Sequence, residues 1–208
     1  MIRTLYLHGF ASSPQSSKAQ ELARRFAAAG WPFEVPDLNG EDFRQLTLSA
    51  QLRRVEEAAR GEPVHLIGSS LGGYLAALYA ARHEEVRKLI LLAPAFAFAR
   101  LYEEALGREA AERWRREGVL RVMHYGKGEE TELGWQFLED ARRYEAEPAI
   151  LQPCLIFHGV RDDVVPVQVS RQFARTRTNC RLYEADSDHE LRDQVDAIWE
   201  AARAFLAG

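Results

Sequence analysis

The stretch Val64-His65-Leu66-Ile67-Gly68-Ser69-Ser70-Leu71-Gly72-Gly73-Tyr74-Leu75-Ala76-Ala77-Leu78-Tyr79-Ala80-Ala81 sets the architecture. Its first residues form a short apolar run suited to a buried strand, and the Ala- and Leu-rich run from Gly72 onward suits a helix. The join is Gly68-Ser69-Ser70-Leu71-Gly72, a G-x-S-x-G pattern that a chain of this composition would produce by chance only about 0.04 times. A sharp strand-to-helix turn holds its central residue, Ser70, in a strained backbone conformation, and side chains on the flanking glycines would collide. The pattern therefore predicts a serine hydroxyl exposed at the end of a strand, where it could act as a nucleophile.

Outward from this unit the chain repeats the same order, strand then helix. Strands are expected at Ile2–His8, Phe33–Asp37, Val64–Gly68, Val86–Ala93, Cys154–His158 and Cys180–Glu184, and helices at Ser17–Ala29, Leu46–Arg60, Gly72–His83, Val167–Arg177 and Leu191–Leu206. Gly30 and Gly61 follow helix ends, and Pro166 suits a first helical turn. Right-handed crossovers then give an α/β fold: a mostly parallel twisted sheet with helices on both faces. The 208 residues read as a single domain. From Phe96 to about Ala149 the rhythm breaks into Arg- and Glu-rich helical stretches, an expected lid insertion, in which VLRVMHYGKG (119–128) has the alternation and Gly-rich turn of a small hairpin.

Composition narrows the function. With 27 Lys plus Arg against 31 Asp plus Glu, the net charge of −4 argues against a nucleic-acid partner, which normally needs a basic face. The most apolar run, Leu89–Ala99, is far too short to span a bilayer, so no integral membrane association is expected. The N-terminus passes directly into a strand-like run and not into the apolar core of a signal peptide, which implies a cytoplasmic protein. Cys154 and Cys180, each in a strand-like setting, are expected to be buried free thiols.

A serine nucleophile needs a base, and a carboxylate to orient that base. His189, after the last strand and before the final helix, can reach over the sheet edge and follows the chain order Ser, acid, His. His65, His83 and His124 fall within a strand, at a helix end and in the insertion, while His8 and His158 close strands and suit structural roles. The acid should lie after the preceding strand, where Asp162 and Asp163 both qualify and the residues alone do not choose between them. Beyond His158, no His or Glu stands nearby in sequence to complete a metal site. Oxyanion donors are expected from the Leu71 amide and, across the sheet edge, from the Phe10 amide, with Gly9 permitting close approach. The Ser-rich loop 11–17 lacks a phosphate-loop pattern, although Lys18 beyond it could meet an anionic substrate group.

These residues resemble the α/β-hydrolase superfamily, and within it the small bacterial esterases of the YqiA type. The resemblance rests on LYLHGFASSPQSSKA, on IGSSLGGYLA around Ser70, and on HGVRDDVVP. It implies Ser70 as nucleophile, His189 as base, Asp162 in preference to Asp163 as acid, and Phe10 and Leu71 as oxyanion donors. It does not extend to residues 96–149.

A serine hydrolase of small-molecule carboxylic esters or thioesters follows as the expectation, without metal or organic cofactor. Leu101, Tyr102, Leu106, Trp114, Trp135 and Phe137 in the lid could contact an apolar acyl group or simply fill the core. Hydrolysis of a peptide, lactone or C–C bond on the same fold, and a non-catalytic binding role, are the alternatives.

Overall fold

Alternating side-chain direction along a strand explains how the sheet is built. In the computed structural model, which describes residues 1–207, strand β1 (Arg3–Leu7) sends Leu5 and Leu7 to one face and Tyr6 to the other. The same division separates Leu66 from Ile67 in β3 (Val64–Ser69), Leu89 and Leu91 from Ile90 and Leu92 in β4 (Val86–Leu92), and Ile156 from Leu155 and Phe157 in β7 (Cys154–Gly159). Both faces are apolar, so both must be covered by helices.

Adding β2 (Phe33–Glu34) and β8 (Cys180–Ala185) completes a six-stranded, wholly parallel sheet in the order β2-β1-β3-β4-β7-β8. One face packs α1 (Ser17–Ala28) and α8 (Val195–Ala207) through Ala19, Leu22, Phe26, Ile198 and Ala202. The other packs α2 (Leu48–Ala59), α3 (Leu71–Ala80) and α7 (Val167–Arg175). Every residue of α3 is buried, which accounts for its lack of a polar stripe.

Several boundaries shift for local reasons. β2 stops at Glu34 instead of Asp37, ahead of Pro36, which has no N–H for a ladder. α2 begins at Leu48 because the Thr47 side chain accepts a bond from the Ala50 N–H at 3.0 Å. The last helix starts at Val195 and not at Leu191, since Leu191 has φ 52° and a 3-10 turn, Arg192–Gln194, intervenes. Pro166 precedes α7 as its cap. Cys154 is buried, but Cys180, on edge strand β8, is only half-buried, contrary to expectation.

Between β4 and β7 lie α4 (Phe98–Leu106), α5 (Arg108–Glu117), an antiparallel hairpin of β5 (Val119–His124) and β6 (Glu129–Gly134), and α6 (Gln136–Ala141). The hairpin expected at 119–128 forms, extended to Gly134. This segment is anchored to the helices below it: the Ser49 N–H and hydroxyl both donate to the Asp140 carboxylate at 2.7 Å, and the Tyr74 hydroxyl donates to the Glu145 carbonyl at 2.7 Å. Trp114 and Phe137 are buried in its core, with the Trp114 indole donating to the Leu133 carbonyl.

One contact is especially close. A Cβ on Gly72 would stand 2.0 Å from the Leu7 carbonyl oxygen, and one on Gly68 would stand 2.3 Å from the Gly72 carbonyl oxygen. Gly72→Ala should therefore destabilise the fold by more than about 3 kcal/mol in chemical denaturation, because two backbones must separate to admit one methyl group.

Candidate active site

The tight join between β3 and α3 places Ser70 at φ 55° and ψ −120°, a region that L-residues rarely adopt. The strain, of order 1–3 kcal/mol, is held by backbone bonds on both sides. The Ser70 N–H donates to the Leu92 carbonyl at 2.8 Å, and its carbonyl accepts from Gly73, Tyr74 and Ala95 at 3.0, 3.2 and 3.1 Å. With the backbone fixed, the hydroxyl points away from the sheet.

There it meets His189. The Ser70 Oγ lies 3.0 Å from His189 Nε2, and His189 Nδ1 lies 2.7 Å from Asp162 Oδ2. Asp162 and His189 come from the loops after β7 and β8, which are neighbours in the sheet. The loops can converge because Gly159 leaves room: a Cβ there would stand 2.3 Å from the Ser187 carbonyl oxygen. The His189 loop is tightened further by Asp188, whose Oδ1 accepts from the Glu190 and Leu191 amides at 2.9 and 3.2 Å. Asp163 is exposed and takes no part in this chain of bonds.

The Asp162 side chain is fully buried, yet it holds its charge. Burial alone would raise its pKa, but bonds from His158 and His189 and from the Val165 amide outweigh that and hold the carboxyl well below the usual carboxylate range. Its Oδ1 accepts from the Val164 and Val165 amides at 2.9 and 2.7 Å, and His158 Nε2 stands 3.1 Å from Oδ2. His158 Nε2 is also 2.8 Å from the Val165 carbonyl, so this nitrogen carries the proton, while Nδ1 pairs with the Ser170 hydroxyl at 2.7 Å. The histidine expected to be structural thus braces the acid loop directly.

The other strand-end histidine, His8, fixes the loop after β1. Its Nε2 accepts from the Leu38 N–H at 3.0 Å, which leaves Nδ1 as the donor to the Gly9 carbonyl, also at 3.0 Å. The Ser12 N–H holds the same carbonyl at 3.3 Å. Because the peptide unit is planar and trans, anchoring the Gly9 oxygen turns the Phe10 N–H the opposite way. Gly9 is less crowded than expected: a Cβ would lie 3.5 Å from the Ser69 oxygen and the Ser70 Cβ, an ordinary contact. The close approach at this edge belongs to Gly68 and Gly72.

A cavity of about 520 Å³ opens over Ser70 and His189. Phe10, Phe98, Leu101, Tyr102, Val122 and Met123 give it an apolar wall. Of the insertion aromatics that could either contact an acyl group or fill the core, Tyr102 lines the cavity; Trp114 and Phe137 fill the core, and Trp135 stacks under the Arg142 guanidinium elsewhere. Leu106 packs against the core. Among the described residues no group of three or more His, Cys, Asp or Glu side chains is arranged to hold a metal ion. Periodicity gave no signal for the bracing contacts of His8, His158 and Gly159, which depend on how the loops at the sheet edge fold back.

Comparison with known proteins agrees with this architecture. The palmitoyl-protein thioesterase ABHD10, mitochondrial, of Mus musculus is 27% identical over 207 residues, covering 92% of this chain and 67% of that protein. The structure of mouse alpha/beta hydrolase domain-containing protein 10 superposes with a TM-score of 0.83 at 22% identity, covering 98% of this chain and 89% of that one. Est1E from Butyrivibrio proteoclasticus gives 0.78 at 21% identity, with 99% and 87% covered. The fold is that of the α/β-hydrolase superfamily, and residues 3–207 match the model of the uncharacterised protein family UPF0227, to which the chain belongs.

Proposed function

We propose that the protein is a serine hydrolase of carboxylic esters or thioesters. The observation that carries the reading is the unbroken chain of bonds from Ser70 through His189 to the buried Asp162 carboxylate, set at the mouth of an apolar cavity. The thioesterase name of the mouse relative supports an acyl substrate.

In this mechanism His189 Nε2 takes the Ser70 proton as Oγ attacks the acyl carbon. Asp162 holds Nδ1–H, fixes the tautomer and offsets the charge of the imidazolium. The developing oxyanion accepts from the Leu71 and Phe10 amides, neither of which donates to another group among the described residues. The imidazolium then protonates the leaving alcohol or thiol. Water, deprotonated by the same nitrogen, releases the acyl group from Oγ, and the proton returns to Ser70. The segment carrying Leu101 and Tyr102 acts as the lid that receives the apolar part of the substrate.

Intact mass after treatment with a fluorophosphonate probe tests this directly. Wild type should gain one covalent adduct and hydrolyse short 4-nitrophenyl esters and acyl thioesters, and Ser70→Ala should do neither while melting within a few degrees of wild type. A folded wild type that takes no adduct refutes the reading.

Asp162→Asn should lower kcat by roughly three to four orders of magnitude through the wrong His189 tautomer, with Asp163→Asn close to wild type. Steady-state kinetics on both variants would reverse the assignment of the acid if the effects were exchanged.

His8→Leu should reduce kcat by about 10²-fold with a smaller change in KM, because the Phe10 donor loses its orientation. An unchanged kcat would remove Phe10 from the oxyanion site.

A further inference from the structure

The same cavity contains a charge that the chemistry of Ser70 does not use. Lys18, on α1, lines the cavity beside Ser69, Ser70 and Glu190, yet it is only 7% exposed. Its ammonium donates to the Ser69 hydroxyl at 3.1 Å. No carboxylate lies within 4.0 Å of it among the described residues, although the surface is rich in ion pairs. A buried ammonium with one hydroxyl acceptor has capacity for two further bonds and no carboxylate in direct contact.

We propose that Lys18 recognises a carboxylate on the substrate, so that the preferred ester or thioester joins an apolar arm to a carboxylate a few atoms from the scissile carbonyl. The assignment deepens the ester-hydrolase reading and rests on it. Placement supports it: Ser69, which holds the ammonium, is the immediate neighbour of Ser70, while the apolar wall rises on the side of α4 and the hairpin. Charge supports a singly charged group over a phosphate dianion, since Glu190, Asp188 and Asp162 surround the ammonium with negative potential and only Arg192 adds to the positive. Burial pulls the Lys18 pKa down to about 8, a shift that Glu190 only partly opposes. The ammonium is thus the charged form at neutral pH and is held at a cost that a bound carboxylate would relieve.

The test compares kcat/KM for pairs of esters that differ by one carboxylate. Mono-4-nitrophenyl adipate against 4-nitrophenyl hexanoate places it on the acyl side, and 3-carboxyphenyl hexanoate against phenyl hexanoate on the leaving group. In at least one pair the anionic-to-neutral ratio of wild type should fall about tenfold in Lys18→Met and be partly retained in Lys18→Arg. The fall should appear mainly in KM. In wild type the ratio should also decline as pH rises through about 8, where the ammonium loses its proton while the substrate carboxylate stays ionised. Taking the ratio cancels any pH dependence that the two esters of a pair share.

Stability should move the other way. Between about 8 and 10.5 the unfolded chain binds the Lys18 proton and the folded one does not, so folding stability gains with pH in that window. Lys18→Met should accordingly melt at or above the wild-type temperature, whereas a lysine serving only to hold Ser69 would melt lower when replaced. Equal ratios in wild type and Lys18→Met for both pairs would overturn the proposal. Were Lys18→Met not to fold, a pH-independent ratio in wild type would overturn it alone. Absence of turnover on all four esters would sink the ester-hydrolase reading and this inference together. Turnover without a charge-dependent ratio would sink only the latter.

Discussion

The approach of the α3 N-terminus to the end of β1, with no side chain at Gly72 to separate them, is the constraint on which the site depends. A Cβ would lie 2.0 Å from the Leu7 oxygen, so the contact exists only between bare backbones. It brings two strand ends together: β3 delivers Ser70, and β1 delivers the His8-Gly9-Phe10 turn. The proposed nucleophile and the proposed oxyanion donor are thus positioned by one packing contact. The unfavourable φ of Ser70 persists because four backbone bonds and the complete burial of α3 determine its position.

The remaining groups arrive by a different route. Asp162 and His189 lie on loops, where entropy works against a fixed geometry. Each loop is therefore tied by its own short-range bonds: Asp162 to the amides two and three residues on, and Asp188 to those of Glu190 and Leu191. Gly159 lets the two loops touch. His158 then connects the acid loop to α7 through Ser170 on its buried face, so a helix packed on the sheet sets the position of a surface loop. Rigidity at this edge comes from polar bonds, while the sheet beneath supplies only a platform.

This contrast explains what could be read from sequence. Strand and helix order was legible because both faces of a parallel sheet are buried, which makes each strand a short apolar run bounded by glycine or a helix cap. Ser70 was legible because its strain demands glycine at 68 and 72. His189 and the pair Asp162 and Asp163 were legible by chain order, and the family resemblance favoured Asp162; in the fold that side chain is buried under four N–H groups while Asp163 lies in solvent. Residues 98–141 were less so, because their aromatics look alike in sequence whether they face the cavity, as Tyr102 does, or fill a core, as Trp114 does. The start of the last helix was missed because nothing local marks Leu191 as left-handed.

The two buried charges of the site, Asp162 and Lys18, are treated in opposite ways. Asp162 is surrounded by donors that satisfy both oxygens, so its negative charge is stable with the cavity empty. Lys18 has one hydroxyl and no carboxylate within reach. Had folding alone selected this position, a leucine or methionine beside Ala19 and Leu22 would fill the space without the desolvation cost of an ammonium. A charge that the fold leaves without a contacting carboxylate, bonded to the neighbour of the proposed nucleophile, is more simply understood as belonging to a complex. Its missing partner would enter with the substrate, and the cost carried by the free protein would become selectivity for the ligand that removes it.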